Sequence, residues 1–174
     1  MPSFDATDGE AYRDLARKWA ATVTIVTCRL RPEATGGQPM FDGLTATAFL
    51  TVSINPPRVL VSISQGSQAL DSFRHAEAVA VNLLAPSQVD LAAEFARPHD
   101  QRGDLWERIG FTLDASGAPI LNGAVGAFAA RPAEFIEAGD HVLMLADVTA
   151  IHVFEGEDTL AYHNRHYSTL TPLP

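Results

Sequence analysis

Short runs of alternating apolar and polar residues fill most of the chain, and this period of two predicts β-strands. The clearest run is "TVTIVTC", which is rich in β-branched residues. Two longer runs lie on either side of "EAGD" and predict two long strands. The predicted strands span residues 22–28, 44–53, 58–64, 79–84, 111–121 with a turn at Gly117, 124–137, 141–155 and 160–163.

Helical spacing of apolar residues occurs in three places. The first predicted helix covers residues 8–20, with Asp8 as its N-cap. Its apolar positions are Tyr12, Leu15, Ala16 and Trp19. Two shorter helices are predicted over 68–74 and 87–96. The remaining segments are polar and predict loops at 29–43 and 97–104 and a polar tail after residue 163.

The two shorter helices begin differently. Ser87 is followed three residues later by Asp90, a spacing typical of a capping box. Ser67 is instead followed by Leu70, so the first turn of that helix has fewer side-chain partners for its free N–H groups. Such a start can hold a phosphate, although an ordinary serine-capped surface helix fits the same residues.

Many strands, few helices and no regular βαβ alternation favour an antiparallel β-barrel with peripheral helices. The 174 residues are enough for one domain, and no linker, internal repeat or low-complexity run divides them. The apolar fraction of 47% is sufficient for a substantial core.

The charge of the chain narrows the classes of partner. A formal net charge of −9 disfavours nucleic acid and anionic membrane surfaces, so an anionic ligand needs local N–H groups or single arginines. The N-terminus has no apolar signal-peptide region, and no apolar run reaches the ~18 residues of a membrane span. We therefore expect a cytoplasmic protein. The single cysteine, Cys28, is interpreted as a small buried hydrophobe.

Several catalytic motifs are missing from the sequence. It contains no G-x-G-x-x-G, no phosphate-binding G-x-x-x-x-G-K-[ST] and no G-x-S-x-G nucleophile motif. Lys18 is its only lysine, which disfavours Schiff-base chemistry. His163 and His166 are three residues apart, but without further ligands they indicate a solvated polar segment and no metal site.

Residues 43–67 are unusually rich in small hydroxyl side chains. Small residues at positions 45–48 would let a flat ligand lie close to the backbone, where N–H, C=O and hydroxyl groups can bind the rim of a heterocycle. An edge strand with solvated threonines fits the same composition. The pattern alone leaves both interpretations open.

A set of longer segments resembles a known family. They are "WAATVTIVT", "FDGLTATAFLTVSINPPRVLVSI", "VAVNLLAPSQVDLAAEFA", "GAPILNGAVGAFAARP", "EAGDHVLMLADV" and "LAYHNRHYSTL". In this order and spacing they resemble the short flavin reductases of the FMN-binding split-barrel superfamily, the reductase components of two-component flavin monooxygenases. The resemblance covers about residues 12–170. It implies a single flavin reductase-like domain over 1–174 with a mainly β, antiparallel, Greek-key split barrel.

The resemblance also implies a set of site residues. Thr45, Ala46 and Thr47 should contact the flavin ring, with Thr51 close by. The ribityl chain and phosphate should be held by Ser62, Ile63, Ser64, Ser67 and Gln68. Phe95 and Ala96 should approach the cofactor, and Asp140 and His141 should face the nicotinamide, with His141 as the catalytic residue. Arg165 and Tyr167 should complete the nicotinamide side. Ala48, Gln68 and the segment 129–132 depart from residues common in the family.

The activity implied is NAD(P)H:flavin oxidoreduction, with FMN or FAD and with NADH or NADPH. The implied partners are a second copy of the chain in a homodimer and a separate monooxygenase that receives reduced flavin. Two alternatives remain open from the sequence. One is an electron-transfer or accessory protein with tightly held FMN, and the other is an interaction module that has lost flavin.

Overall fold

A computed structural model of the chain describes residues 5, 7–37, 40–156 and 158–171. The strands are β1 Ala21–Thr22, β2 Thr24–Leu30, β3 Phe41–Ala46, β4 Phe49–Ile54, β5 Pro57–Ser64, β6 Ala76–Leu83, β7 Phe111–Leu113, β8 Pro119–Leu121, β9 Gly126–Ala138, β10 His141–Val153, β11 Leu160–His163 and β12 His166–Thr169. The helices are α1 Gly9–Ala16, α2 Leu70–Arg74, α3 Val89–Phe95 and α4 Leu105–Arg108, with short 3₁₀ turns at Pro32–Ala34, Pro86–Gln88 and His99–Gln101. The predicted mainly β architecture is confirmed.

Seven strands form the main sheet, in the order β3-β2-β6-β9-β10-β5-β4. Each neighbouring pair in it is antiparallel. Strands β1, β11 and β12 form a small second sheet, and β7 pairs with β8 in a hairpin around Gly117, as predicted. Strand β6 and the first five residues of β9 are largely buried, whereas the second half of β9 is mostly exposed.

The link between β3 and β4 shows why the main sheet curls into a barrel. The two strands lie at opposite edges, yet only Thr47 and Ala48 separate them. Three residue steps reach about 11 Å, whereas six strand spacings in a flat sheet would need about 29 Å. The edges must therefore approach each other, and the Ser62 N–H donates to the Ala48 carbonyl at 2.9 Å. The prediction of one strand over 44–53 is wrong for this reason.

The core lies inside the barrel and under α3. The interior cluster includes Val26, Val61, Phe73, Val79 and Met144, each fully buried. Cys28 belongs to the same cluster, and burial raises the pKa of its thiol well above the ordinary value. This agrees with its interpretation as a buried hydrophobe.

A second cluster packs α3 and α4 against the outside of β2. It includes Val23, Ile25, Leu84, Phe95 and Leu121. Buried polar groups pin the hairpin of β7 and β8 onto this side of the barrel. The Asn82 side chain donates to the Ile25 carbonyl at 3.1 Å and accepts from the Leu121 N–H at 2.9 Å, while the Thr27 hydroxyl donates to the Pro119 carbonyl at 2.6 Å. These hydrogen bonds satisfy groups that would otherwise be costly to bury.

Three local predictions need correction. Helix α1 begins at the predicted N-cap, where the Asp8 carboxylate accepts from Glu10 and Ala11, but it ends at Ala16 and buries no residue. The capping box at Ser87 and Asp90 is wrong, because the Gln88 side chain accepts from the Ala85 N–H at 3.1 Å and a 3₁₀ turn precedes the helix. The predicted polar tail contains strand β12, which pairs with β11.

The predicted loop over 29–43 is also shorter than expected. Residues 29–30 continue β2 and residues 41–43 begin β3, because each pairs with its neighbour in the main sheet. None of the helices in the described ranges combines the length and apolar character that a membrane-spanning helix needs.

Candidate functional site

A cleft of about 610 Å³ opens where the two edges of the barrel meet, a volume within the usual range for small-molecule sites. We call it the main cleft. It lies between the end of β3, the end of β5, the start of β10 and the loop after α3. Its lining residues are Leu44, Thr45, Ala46, Thr47, Ala48, Ser62, Ile63, Ser64, Gly66, Ser67, Gln68, Ala69, Phe95, Ala96, Arg97, Pro98, His99, Arg102 and His141.

The β3 wall consists of small residues whose polar groups are partly used within the protein. The Thr45 hydroxyl donates to the Ala92 carbonyl at 2.6 Å and so ties β3 to α3. The Ala46 carbonyl accepts from the buried Thr24 hydroxyl at 2.8 Å. These two groups therefore fix the wall, while the exposed Thr47 and Ala48 continue it to the rim of the cleft.

The opposite wall turns from β5 toward α2. The Ser64 hydroxyl oxygen accepts from the Gly66 N–H at 3.2 Å, and the Ser67 hydroxyl oxygen accepts from the Ala69 N–H at 3.4 Å. Helix α2 begins two residues later than predicted, with Ala69 as its N-cap and no side-chain cap. The segment from Ser64 to Ala69 thus lines the cleft as a tight polar turn.

The loop after α3 closes a third side, and Arg102 holds it in place. Its guanidinium donates to the carbonyls of Gly43 at 2.7 Å, Phe95 at 2.9 Å and Arg97 at 2.8 Å. It also lies over the Phe95 ring, 5.7 Å from the centroid. Burial lowers its pKa from the ordinary arginine value, and Asp42 at 3.7 Å opposes that shift. An arginine side chain only 10% exposed with three carbonyl partners anchors the loop firmly.

His99 lies on the same loop, beside Asp42. Its backbone N–H donates to the Gln68 side chain at 2.7 Å, joining the loop to the β5–α2 turn. Its Nε2 atom lies 3.2 Å from a carboxylate oxygen of Asp42, within ion-pair distance but out of line for a hydrogen bond. Sequence reasoning missed Arg97, Pro98, His99 and Arg102. The signal available was the pair of arginines and the histidine in "RPHDQRGD".

His141 stands at the mouth of the cleft, at the first residue of β10. Its ring Nδ1 lies 2.7 Å from the Asp140 carboxylate, and this hydrogen bond together with the charge of the ring lowers the pKa of Asp140. Strand pairing places His141 directly opposite Ser64 on β5. The histidine side chain is 44% exposed, so one edge of its ring is available to a ligand.

Most of the predicted site residues meet in this cleft, but four do not line it. The Asp140 carboxylate reaches the cleft through His141, and the Asp140 carbonyl accepts from the Gln65 N–H at 2.9 Å. Thr51 is exposed on β4, outside the cleft. Tyr167 packs edge-on against Tyr162 at 5.3 Å, and burial raises the pKa of its phenol. Arg165 lines a separate pocket that shares Thr47 and Ala48 with the main cleft.

The chemistry of the main cleft suits a flat, partly anionic ligand. Small side chains on the cleft walls leave the backbone accessible, hydroxyl and backbone N–H groups supply donors, and two arginines add positive charge. No group of three or more His, Cys, Asp or Glu side chains in the described part of the chain is arranged to hold a metal ion. The fold and the cleft together define an antiparallel split barrel whose candidate ligand site lies where the sheet edges meet.

Comparisons with known proteins identify the family. A flavin reductase like domain matches residues 16–171. An NADH:FMN oxidoreductase from Rhodococcus qingshengii is 35% identical over 169 residues, which cover 93% of this chain and 82% of the relative. The chain therefore belongs to the flavin reductase like domain family, as the sequence motifs predicted.

Two solved structures show the same fold. The NADH:FAD oxidoreductase SgcE6 of Streptomyces globisporus C-1027 gives a TM-score of 0.86 at 25% identity, covering 99% of this chain and 98% of that one. BorF, the flavin reductase component of a bacterial two-component tryptophan halogenase, gives a TM-score of 0.80 at 27% identity. The match covers 95% of this chain and 100% of that one. The predicted split-barrel fold is confirmed.

Proposed function

We propose that this chain is an NAD(P)H:flavin oxidoreductase, acting as a single domain, and that it supplies reduced flavin to a partner monooxygenase. The observation that carries the proposal is the main cleft. There the small residues of β3, the polar turn from Ser64 to Ala69 and the exposed edge of His141 face one space. Family membership makes a flavin the ligand that fits this space.

The residues of the cleft have distinct roles in this proposal. Thr45, Ala46 and Thr47 lie along the flavin ring, and Phe95 and Ala96 approach it from the end of α3. The polar turn, with Ser62, Ile63, Ser64, Ser67 and Gln68, takes the ribityl chain and the phosphate. Backbone N–H groups and hydroxyls are strong ligands for a phosphate, and Arg97 and Arg102 add positive charge on the facing loop.

The flavin supplies the redox chemistry by accepting a hydride from the reduced nicotinamide. The protein orients the two rings, excludes water and stabilises the negative charge that develops, with no obligatory acid or base. Asp140 fixes the His141 ring through the 2.7 Å contact, so that the ring can position the nicotinamide. Tyr167 and Arg165 stand beyond the rim, on the side of the small second sheet.

The direct test is a steady-state assay of purified protein. We would mix it with NADH or NADPH and with FMN or FAD, and follow the loss of reduced nicotinamide by absorbance. Turnover that saturates with added flavin is the expected result and also identifies both substrates. Bound flavin without turnover would point to an electron-transfer protein. No flavin binding and no flavin-dependent rise in melting temperature would point to an interaction module.

A homodimer and a separate oxygenase are the proposed partners, in the cytoplasm. Exposed apolar side chains on the edge strand β4 and on the far half of β10 support a subunit contact. They are Leu50, Val52, Ile54, Ile151 and Val153. An edge strand with such a face invites pairing. BorF, a relative in fold and sequence, is the reductase component of a two-component halogenase, which supports an oxygenase-type acceptor for the flavin.

A further inference from the structure

One residue outside the main cleft is attached to both sides of the turn that carries His141. This β9–β10 turn consists of Gly139 and Asp140. Gln65 directly follows β5, is exposed and does not line the main cleft. Its backbone N–H donates to the Asp140 carbonyl at 2.9 Å, and its side-chain Nε2 donates to the Glu137 carboxylate at 2.8 Å. Residue 65 is therefore bonded both to the end of β9 and to the residue before β10.

The other oxygen of the Glu137 carboxylate is bonded to the end of α2. It accepts from the Arg74 guanidinium at 2.7 Å, and Arg74 is the last residue of that helix. The same guanidinium lies over the Phe135 ring on β9, 5.3 Å from the centroid. The neighbouring Phe73 is fully buried, so the end of α2 is fixed to the barrel. One carboxylate thus holds both ends of the segment 65–74, which includes most of the polar turn.

These contacts connect two groups that face the main cleft. Ser64, the residue before Gln65, lines the cleft and pairs directly opposite His141 in the ladder of β5 and β10. Asp140, which accepts from the Gln65 N–H, holds the His141 ring through its carboxylate at 2.7 Å. A shift of Gln65 against the β9–β10 turn would therefore move the polar turn and the histidine relative to each other.

The side chains involved are too exposed to determine overall stability. The Glu137 side chain is 60% exposed and that of Arg74 is 38% exposed. Solvent-exposed pairs contribute little to global folding, whereas turns open locally more readily than the core. Loss of the Gln65–Glu137 hydrogen bond should therefore affect the two turns and leave the melting temperature nearly unchanged.

We propose that Gln65 is a positioning residue that fixes the polar turn against the β9–β10 turn. The inference rests on the proposed function, because the polar turn would hold the flavin and His141 would face the nicotinamide. Hydride transfer requires two rings at a narrow range of distances and angles, so the walls that hold them must keep one spacing. Gln65 sets this spacing through Glu137 and Asp140 and contacts neither ring.

Two variants of the full chain test this role. Gln65→Ala removes the side-chain donor and keeps the backbone N–H. The reversed pair, Gln65→Glu with Glu137→Gln, forms the same hydrogen bond from the opposite side: the new amide donates to the new carboxylate, and its carbonyl still accepts from Arg74. The reversed pair leaves the net charge unchanged. The matched control is Gln101→Ala, at an exposed glutamine that does not line the main cleft.

The first measurement is hydrogen exchange of backbone amides, by mass spectrometry, without any ligand. Gln65→Ala should speed exchange about threefold in the peptides that contain residues 64–69 and 138–141, because an exposed hydrogen bond contributes a few-fold to local opening. The reversed pair and the control should match the unmodified protein. Faster exchange in only one of the two turns, or no change in either, would overturn the proposal. A reversed pair that behaves like Gln65→Ala would overturn it too.

The second measurement is steady-state kinetics. Gln65→Ala should raise the KM for flavin and the KM for NADH about threefold each at nearly unchanged kcat, and the reversed pair should restore both. A lower kcat with both KM values unchanged would overturn the proposal, because it indicates only fewer folded molecules.

A double variant tests whether the effect passes through the histidine. In a His141→Ala background, Gln65→Ala should still raise the KM for flavin but should not raise the KM for NADH further. An undiminished rise in the KM for NADH would overturn the proposed route through Asp140 and His141. No turnover by the unmodified protein with FMN or FAD would contradict the proposed function, and the exchange measurement would then decide the role of Gln65 separately.

Discussion

Gly43 is packed tightly beneath the main cleft. A Cβ atom at this position would lie 2.8 Å from the Val26 carbonyl oxygen and 2.9 Å from the Phe95 ring. The first neighbour is backbone and the second is a fully buried side chain, so neither can move freely. Glycine here lets Phe95 lie close to β3 at the edge of the cleft.

Gly43→Ala should therefore reduce the free energy of unfolding by about 1–3 kcal/mol, because the core must expand to hold the extra methyl group. Urea unfolding measures the change. Gly66→Ala is the matched control, since a Cβ atom there meets only the Ser64 hydroxyl at 3.7 Å. If the two variants are equally stable, the close packing of Gly43 does not limit stability.

His141→Ala should mainly raise the KM for the nicotinamide, by about tenfold, because one positioning contact is lost while the hydride chemistry remains with the cofactor. The measurement is steady-state kinetics with the nicotinamide varied. His75→Ala serves as control, since this exposed histidine hydrogen-bonds to the Asp71 carbonyl and does not line the cleft. A lower kcat at unchanged KM would contradict a positioning role for His141.

At the scale of elements, the Arg102 side chain makes three of the hydrogen bonds that hold the loop after α3. Arg102→Gln should lower the free energy of unfolding by at least about 2 kcal/mol, because three carbonyls lose a charged donor. It should also raise the KM for flavin, since the loop lines the cleft.

The control for that prediction is Arg97→Gln on the same loop. The Arg97 guanidinium is 53% exposed and only reaches Glu94 at 3.4 Å, so its loss should cost less than about 0.5 kcal/mol. Chemical denaturation of both variants makes the comparison. Similar stability of the two variants would show that Arg102 does not anchor the loop.

The turn between β7 and β8 is organised by one carboxylate. An oxygen of Asp114 accepts from the Ser116 N–H at 2.8 Å, the Ser116 hydroxyl at 2.7 Å and the Ala118 N–H at 2.9 Å. Burial raises the pKa of Asp114, but the hydrogen bonds from Ser116 and Ala118 outweigh it, and the pKa is lowered overall. A lowered pKa in the folded state means that the ionised form stabilises the fold.

This stabilisation is complete above the ordinary aspartate pKa of about 4 and is lost as the pH falls through the lower folded value. Asp114→Ala should lower the free energy of unfolding by about 1–3 kcal/mol near neutral pH. The difference in stability between the variant and the unmodified protein should become smaller below about pH 4. Thermal unfolding at a series of pH values measures the stability difference near neutral pH and its decrease at low pH. Asp71→Ala, at a side chain 84% exposed, should show neither effect. A gap that stays constant down to low pH would contradict the role of ionised Asp114.

The sequence was most informative where structure is local. The Asp8 cap, the turn at Gly117 and the two long strands around Gly139 follow from neighbouring residues and were predicted correctly. The break between β3 and β4 was missed because it follows from closure of the barrel, although the three consecutive apolar residues 48–50 interrupt the alternation of the run 44–53 at that place. The anchoring role of Arg102 was also missed, because its carbonyl partner on Gly43 is 59 residues away in the sequence.

The prediction of a capping box at Ser87 was wrong for a different reason. The spacing of Ser87 and Asp90 fits the motif, but Gln88 supplies the oxygen that the preceding turn needs and shifts the helix start. Most of the site residues that the family resemblance implies line the main cleft. The resemblance gave no indication that Arg165 would stand across the Thr47–Ala48 link from the others.

At the scale of the whole molecule, the proposed homodimer predicts a native mass twice the 18.7 kDa of the chain. Ile54→Arg should shift this mass toward the monomer, because the side chain is 94% exposed on an edge strand and a buried charge at a subunit contact is costly. Light scattering measures the mass. Leu113→Arg, at an exposed site on β7, is the control. A monomeric unmodified protein, or equal effects of both variants, would contradict this contact surface.

The two-residue link that closes the barrel is also the only partition shared by the main cleft and the separate pocket that Arg165 lines. Thr47 and Ala48 have small, exposed side chains, so this partition is thin. We therefore expect a ligand that settles against one side of this partition to change the shape and solvation of the other side. Exchange of Ala48 for a bulkier residue is expected to narrow both pockets at once.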